Sequence, residues 1–198
     1  MIDLPKRSVV DATVAALAEH NISAAIVADR SAALAKLKEL LPHEADVMAG
    51  SSTTLDEIGA SAWLDAQPGF RKNQITAEPE EATRHVLRRH SATADWFLGS
   101  AAAVTQDGQI VLMDASGSRI AGYAAAGQLV LVVSTNKIVP DLTAAFQRID
   151  TVVYAKEDAR MKGLGFPGTA RGKTLIIHGE PFAPDRITII FVEEPLGF

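Results

Sequence analysis

Twice in this chain a short apolar run stops at a polar turn, and a segment of helical periodicity follows at once. The first is Val47-Met48-Ala49, then Gly50-Ser51-Ser52-Thr53-Thr54, then Leu55 and Ile58 three apart with Asp56 and Glu57 beside them. The second runs from Gln128 to Val133, through Ser134-Thr135-Asn136-Lys137, to Pro140-Asp141 and a face of Leu142, Ala145, Phe146 and Ile149. A continuous apolar strand leading into a helix is the repeating unit of a parallel sheet, because parallel neighbours must be joined by a long crossover. The pattern therefore points to a three-layer α/β sandwich with a mainly parallel sheet.

The rest of the chain fits that scheme. Residues 8–20 place Val10, Val14, Leu17 and Ala18 on one helical face, and residues 30–41 do the same with Leu34, Leu37, Leu40 and Leu41 before Pro42. A further helix is expected over 79–90, opened by Pro79 with Glu80 and Glu81 near its start. Strands are expected at 22–27, 96–98, 103–105, 109–113, 128–133, 151–154, 174–178 and 187–192. Asp107-Gly108 between two of them is a hairpin signal and adds an antiparallel element. Phe70 to Ile75 is polar and without a clear period. The expected organisation is one domain over 1–198, with an N-terminal helical lead-in over 1–45. A loop-rich insertion is expected over 156–186, where Gly163, Gly165, Gly168, Gly172, Pro167, Pro181 and Pro184 gather.

Composition narrows the function. The 198 residues are 47% apolar, enough for a full core, and carry no cysteine, so disulfides, thiol nucleophiles and cysteine-held iron–sulfur clusters do not belong to this chain. Net charge is −5, and the 19 basic residues are scattered apart from Arg84-His85 and Arg88-Arg89-His90, which argues against nucleic acid. The five histidines lack metal-ligand spacing, so no metal is assigned. Met1 to Arg7 leads into an amphipathic segment rather than a long apolar core, and no run approaches the roughly 20 apolar residues of a membrane span. A cytoplasmic protein is expected, without a membrane partner.

In a parallel α/β sheet, ligands sit outside the carboxyl ends of the strands, where both polar turns fall. Gly50, Ser51, Ser52, Thr53 and Thr54 offer hydroxyls and backbone N–H groups at a helix start. They read either as a helix cap or as a cradle for a small anion, and the two are compatible. Asn136 and Lys137 could hold a carboxylate or phosphate from the opposite side. Asp114 and Arg119 flank Gly117 in a short turn, suited to an ion pair or to carboxylate binding by Arg119. Asp107 and Glu57 are the carboxylates available as a base or nucleophile, and each also has a structural reading, as a turn former and a helix-start acid.

Taken together, Gly50-Ser51-Ser52-Thr53-Thr54-Leu55-Asp56-Glu57-Ile58-Gly59, Asp95-Trp96-Phe97-Leu98, Val104-Thr105-Gln106-Asp107-Gly108, Asp114-Ala115-Ser116-Gly117-Ser118-Arg119 and Asn136-Lys137-Ile138-Val139-Pro140-Asp141-Leu142 resemble the LUD-domain family of lactate-utilisation proteins. The resemblance runs from about residue 8 to residue 198. It implies the fold of the NagB, ribose-5-phosphate isomerase and CoA-transferase superfamily. It also implies a role near the oxidation of lactate to pyruvate, with iron–sulfur clusters in partner oxidoreductase subunits. Two departures stand out. Residues 166–186 hold no cysteine where relatives often have several, and Ser118 stands where Asn is usual. Two function classes follow. One is an accessory or small-carboxylate-binding component of a lactate-oxidation system, with its cofactor unknown. The other is a stand-alone enzyme on an anionic substrate, akin to sugar-phosphate isomerases or CoA transferases. Either is compatible with a homo-oligomer.

Overall fold

The computed structural model describes residues 3–90 and 93–198. Met1 and Ile2, at the head of the expected lead-in, and Ser91 and Ala92, just past the expected helix over 79–90, lie outside the described residues.

The first half of the chain runs α1 (Arg7–Glu19), β1 (Ser23–Val27), α2 (Arg30–Leu40), β2 (Val47–Ala49), then four short helices, α3 (Thr53–Glu57), α4 (Ala60–Asp65), α5 (Arg71–Ala77) and α6 (Glu81–His90). The second half runs β3 (Trp96–Gly99), β4 (Ala103–Thr105), β5 (Ile110–Asp114), α7 (Ile120–Ala125), β6 (Gln128–Ser134), β7 (Ile138–Val139), α8 (Leu142–Arg148), α9 (Tyr154–Gly163), β8 (Lys173–Ile177) and β9 (Ile187–Val192).

Five strands in the order β1-β9-β6-β3-β2 form an all-parallel sheet. Side chains alternate across it, as the two-residue period of a strand requires. On β6, Leu129, Leu131 and Val133 enter one core while Val130 and Val132 enter the other, and on β9 Ile189 and Phe191 oppose Ile190 and Val192 in the same way. One face is covered by α2, α3 and α4 through Ala33, Leu37, Leu55, Ala60 and Leu64. The other is covered by Leu17 of α1 and by a second sheet, β7-β4-β5-β8, whose Val104, Ile110, Leu112 and Ile177 share that core. The far side of the second sheet, through Ala103 and Val111, packs on Ala145, Ile149 and Val153. The main sheet with its two flanking layers is the three-layer arrangement expected, and the Asp107-Gly108 hairpin joins β4 to β5 in antiparallel register.

Three segments differ from the sequence reading. Thr151 to Tyr154 reads as a strand because of its β-branched pair. Ile149–Val153 is instead a π-helical turn between α8 and α9, and it sets Ile149 and Val153 on the same buried face. The expected loop over 156–186 is helical as far as Gly163, so only its remainder is irregular around β8. Phe70 to Ile75, without a clear period, caps and enters α5, which is anchored by the buried pair Phe70 and Ile75. The N-terminal segment supplies an edge strand of the main sheet, since β1 pairs with β9 along its whole length.

Candidate functional site

Three adjacent strands of the main sheet, β6, β3 and β2, end at one place, and each hands a polar residue to it. Lys137 follows β6, Ser100 follows β3, and Thr54 lies just beyond the turn after β2. The Lys137 ammonium donates to Thr54 Oγ1 at 3.0 Å and to Ser100 Oγ at 3.1 Å. Its side chain is 1% exposed, yet it lines a cavity of about 600 Å³. That volume lies in the range of small-molecule sites.

A buried lysine ordinarily has a carboxylate beside it, because an unpaired charge is costly in a low-dielectric interior. Here the two hydroxyls are its hydrogen-bond partners, and no ion pair to it occurs among the described residues. Burial, with the Arg148 guanidinium nearby, pushes the Lys137 ammonium down to about 7, and the Glu57 carboxylate acts in the opposite direction. Arg148 is itself lowered to about 10 by burial, and its Nη1 donates to the Ala102 carbonyl at 2.6 Å.

The turn after β2 is both a cap and a wall. Ser52 is extended and its Oγ accepts from Leu55 N at 3.4 Å, closing the N-terminus of α3. Gly50, Ser51, Ser52, Thr53 and Thr54 all line the cavity. Because α3 has only five residues, its dipole contributes little. The positive charge of the cavity comes from side chains instead.

Arg119 closes the same wall. Asp114, 5% exposed, accepts from Arg119 N at 2.8 Å and from its Nη2 at 3.3 Å, and the guanidinium also donates to the Met113 carbonyl at 3.1 Å and to the Ser51 carbonyl at 3.2 Å. The expected ion pair is therefore formed, and it ties the loop after β5 to the turn after β2. Gly50 makes this approach feasible, since a Cβ there would stand 2.2 Å from Arg119 Cδ.

Several expected residues lie elsewhere. Asp107 is exposed in the β4–β5 hairpin turn, whose Gly108 packs on Ala16 of α1 and on His20 just after it, away from the cavity. Gly117 shapes the turn before Arg119 with φ of 90°, and its neighbour is the Lys173 side chain. Asn136 is half-buried outside the cavity wall, with Oδ1 unpartnered among the described residues. Glu57 accepts from Gly197 N at 2.7 Å and so holds the segment after β9 against the site. Gly197 itself sits over the amine: a Cβ there would lie 3.2 Å from Lys137 Nζ and 2.3 Å from Thr54 Oγ1.

Sequence reasoning missed Ser100, Lys72, Arg88, Glu157, Arg160 and Phe198, all in the cavity wall. Ser100 carried a legible signal, because Trp96-Phe97-Leu98-Gly99-Ser100 repeats the apolar-run-then-hydroxyl pattern. Arg160 and Glu157 did not, since they sit on α9, where glycines and prolines downstream suggest a loop. They form a two-pronged pair, Nε to Oε2 at 2.7 Å and Nη2 to Oε1 at 2.7 Å. Among the described residues no cluster of His, Asp and Glu is placed to hold a metal ion, and no helix is long and apolar enough to cross a membrane.

Comparison with known proteins agrees with this architecture. The fold is similar to that of a crystallised DUF162 family protein from Deinococcus radiodurans, with a TM-score of 0.59 at 14% identity over 96% of this chain and 99% of that one. No curated protein matches the sequence. Residues 10–192, which contain both polar turns, the Asp114–Arg119 loop and the strands from β1 to β9, match the family described as the LUD domain. The chain belongs to the LUD domain family.

Proposed function

We propose that this LUD domain protein is a small-carboxylate-binding component of a lactate-to-pyruvate oxidation system, with the redox chemistry carried by iron–sulfur oxidoreductase subunits. The observation that carries the reading is Lys137, a buried cation-forming group that has hydroxyl partners, no carboxylate mate among the described residues, and a cavity in front of it. A carboxylate entering the cavity supplies the missing counter-charge to the protonated fraction of the amine, which near neutral pH coexists with the neutral form. Arg119, fixed by Asp114, presents a second cationic group in the same wall. The hydroxyls of Ser51, Ser52 and Thr53 complete a polar surface suited to a 2-hydroxy or 2-oxo acid.

A second reading has its own support. The cavity is large for a three-carbon acid, and Lys72 adds a cationic side chain to its wall beside Lys137 and Arg119, which favours a longer ligand with more anionic groups, such as a sugar phosphate or a CoA thioester. In that reading the protein is a stand-alone enzyme.

Thermal-shift titration with lactate, pyruvate, a sugar phosphate and a CoA thioester separates the two. Stabilisation by lactate or pyruvate that is lost in Lys137→Met supports the first reading. Stabilisation by the larger anions alone supports the second, and no stabilisation by any of the four overturns both. Co-purification of iron–sulfur subunits with the tagged full chain tests the partner assignment separately.

A further inference from the structure

We propose that Lys137 is a nucleophile: its amine condenses reversibly with the carbonyl carbon of a 2-oxo acid bound in the cavity, so that the site captures the keto acid covalently and the hydroxy acid only by charge. The inference rests on the carboxylate-binding reading above and assigns it a chemical step.

Four features of the site converge on this role. The amine faces the cavity instead of ending in solvent, and it is held at 3.0 and 3.1 Å by two hydroxyls rather than neutralised by an acid. The nearest relevant carboxylate, Glu57, is occupied by the Gly197 N–H at 2.7 Å. Burial, more than any neighbour, favours the neutral, nucleophilic amine; of the charged groups that bear on Lys137, Arg148 on α8 and Lys156 on α9 act the same way and Glu57 on α3 opposes them. Arg119 offers the carboxylate of the same substrate an anchor in the same wall.

The atoms balance without an outside reagent. The lone pair of Nζ attacks the carbonyl carbon, a C–N bond forms, and the carbonyl π pair moves to oxygen. A proton leaves nitrogen and reaches that oxygen through the Thr54 or Ser100 hydroxyl, giving a carbinolamine. Loss of water then gives the imine, and hydrolysis returns both partners. Lactate has no carbonyl and stops at the charged contact.

The test is reductive trapping of the full chain with pyruvate and cyanoborohydride, read by intact mass and peptide mapping. The expected result is one reduced adduct per chain, on Lys137, exceeding that on an exposed lysine such as Lys6 at least about tenfold at neutral pH, because an ordinary lysine is almost wholly protonated there. Lys137 labelling is expected to rise as pH goes from about 6 to about 8 and then to level off, while Lys6 labelling keeps rising, so the ratio of Lys137 to Lys6 labelling falls across that range. Lactate should give none. Absence of an adduct while pyruvate still raises the melting temperature overturns the covalent step and leaves the binding reading intact. Adducts spread over surface lysines overturn it too. Neither adduct nor thermal shift with any anion overturns both. Lys137→Arg keeps the charge but has no amine to condense, and should give no trapped adduct at position 137. Should that variant not fold, peptide mapping of the wild-type chain decides the matter alone.

Discussion

The turn after β2 and the turn after β6 look alike in sequence and flank the same strand, β3, in the sheet, yet they do different work. The first is open: Ser51 is exposed, Ser52 caps α3, and its hydroxyls form a wall. The second is closed: Thr135 and Lys137 are each 1% exposed, and the Ser134 hydroxyl donates to the Glu194 carbonyl at 2.6 Å. The first turn thus supplies adaptable polar groups, and the second a single group whose chemistry is altered by burial. Hydroxyl density is the conspicuous signal in a sequence, but the strongest perturbation sits where the sequence is less showy.

The sharpest way to break this contrast is to remove the buried amine. Its folded-state pKa, about 7, lies below the ordinary 10.5, so the unfolded chain binds more protons between those values and stability should climb with pH across that window. Below about pH 7 the fold must carry a buried charge. Lys137→Met is therefore expected to be more stable than wild type near pH 6, by roughly 2–4 kcal/mol, with the difference shrinking toward pH 10. Urea melts across pH measure it, and a parallel pair of pH curves would show that burial does not perturb this lysine.

Next in size is the tie between the two walls. Asp114→Ala removes the 5% exposed carboxylate that accepts from the Arg119 backbone N–H and leaves its guanidinium only the Met113 and Ser51 carbonyls, and a loss of about 2 kcal/mol is expected, with weaker anion binding, in calorimetry of the variant. Gly197→Ala introduces a Cβ at 2.3 Å from Thr54 Oγ1 on a residue with φ of 56°. We expect a stability loss of about 1–2 kcal/mol and slower trapping of pyruvate, since the segment must back away from the amine. Ser52→Ala, on the open turn, should cost only about 0.5–1 kcal/mol through the lost cap. The smallest effect belongs to Asp107→Asn, expected within about 0.5 kcal/mol of wild type and without change in anion binding, because the residue is exposed in a distant hairpin.

Much of the architecture was legible because burial on both faces leaves an unmistakable apolar run. β6 and β9 are such runs, and the strands 22–27 and 96–98 fall within a residue of their observed limits. What failed to show were elements defined by tertiary contact. The π turn at Ile149–Val153 is β-branched and locally strand-like, and only packing on the second sheet makes it helical. The site was half legible. Lys137 and Thr54 stood out, but their contact across 83 positions of sequence is a product of strand order, which no local pattern encodes. Asp107 carried the opposite risk, a residue type that suits catalysis in a place that serves geometry.

The position of β9 has a kinetic corollary. It lies between β1 and β6, pairing Ser23 with Thr188 and Ser134 with Val192, so the sheet cannot close until a strand from far along the chain inserts between two earlier ones. Pairings of such long sequence separation form late and slowly. Until that insertion, nothing holds Glu194 to Ser134 or Gly197 to Glu57, and the Lys137 amine stays hydrated and ordinary. The lowered pKa of the amine is thereby deferred: a partly folded chain has every residue of the cleft and none of the burial that alters Lys137.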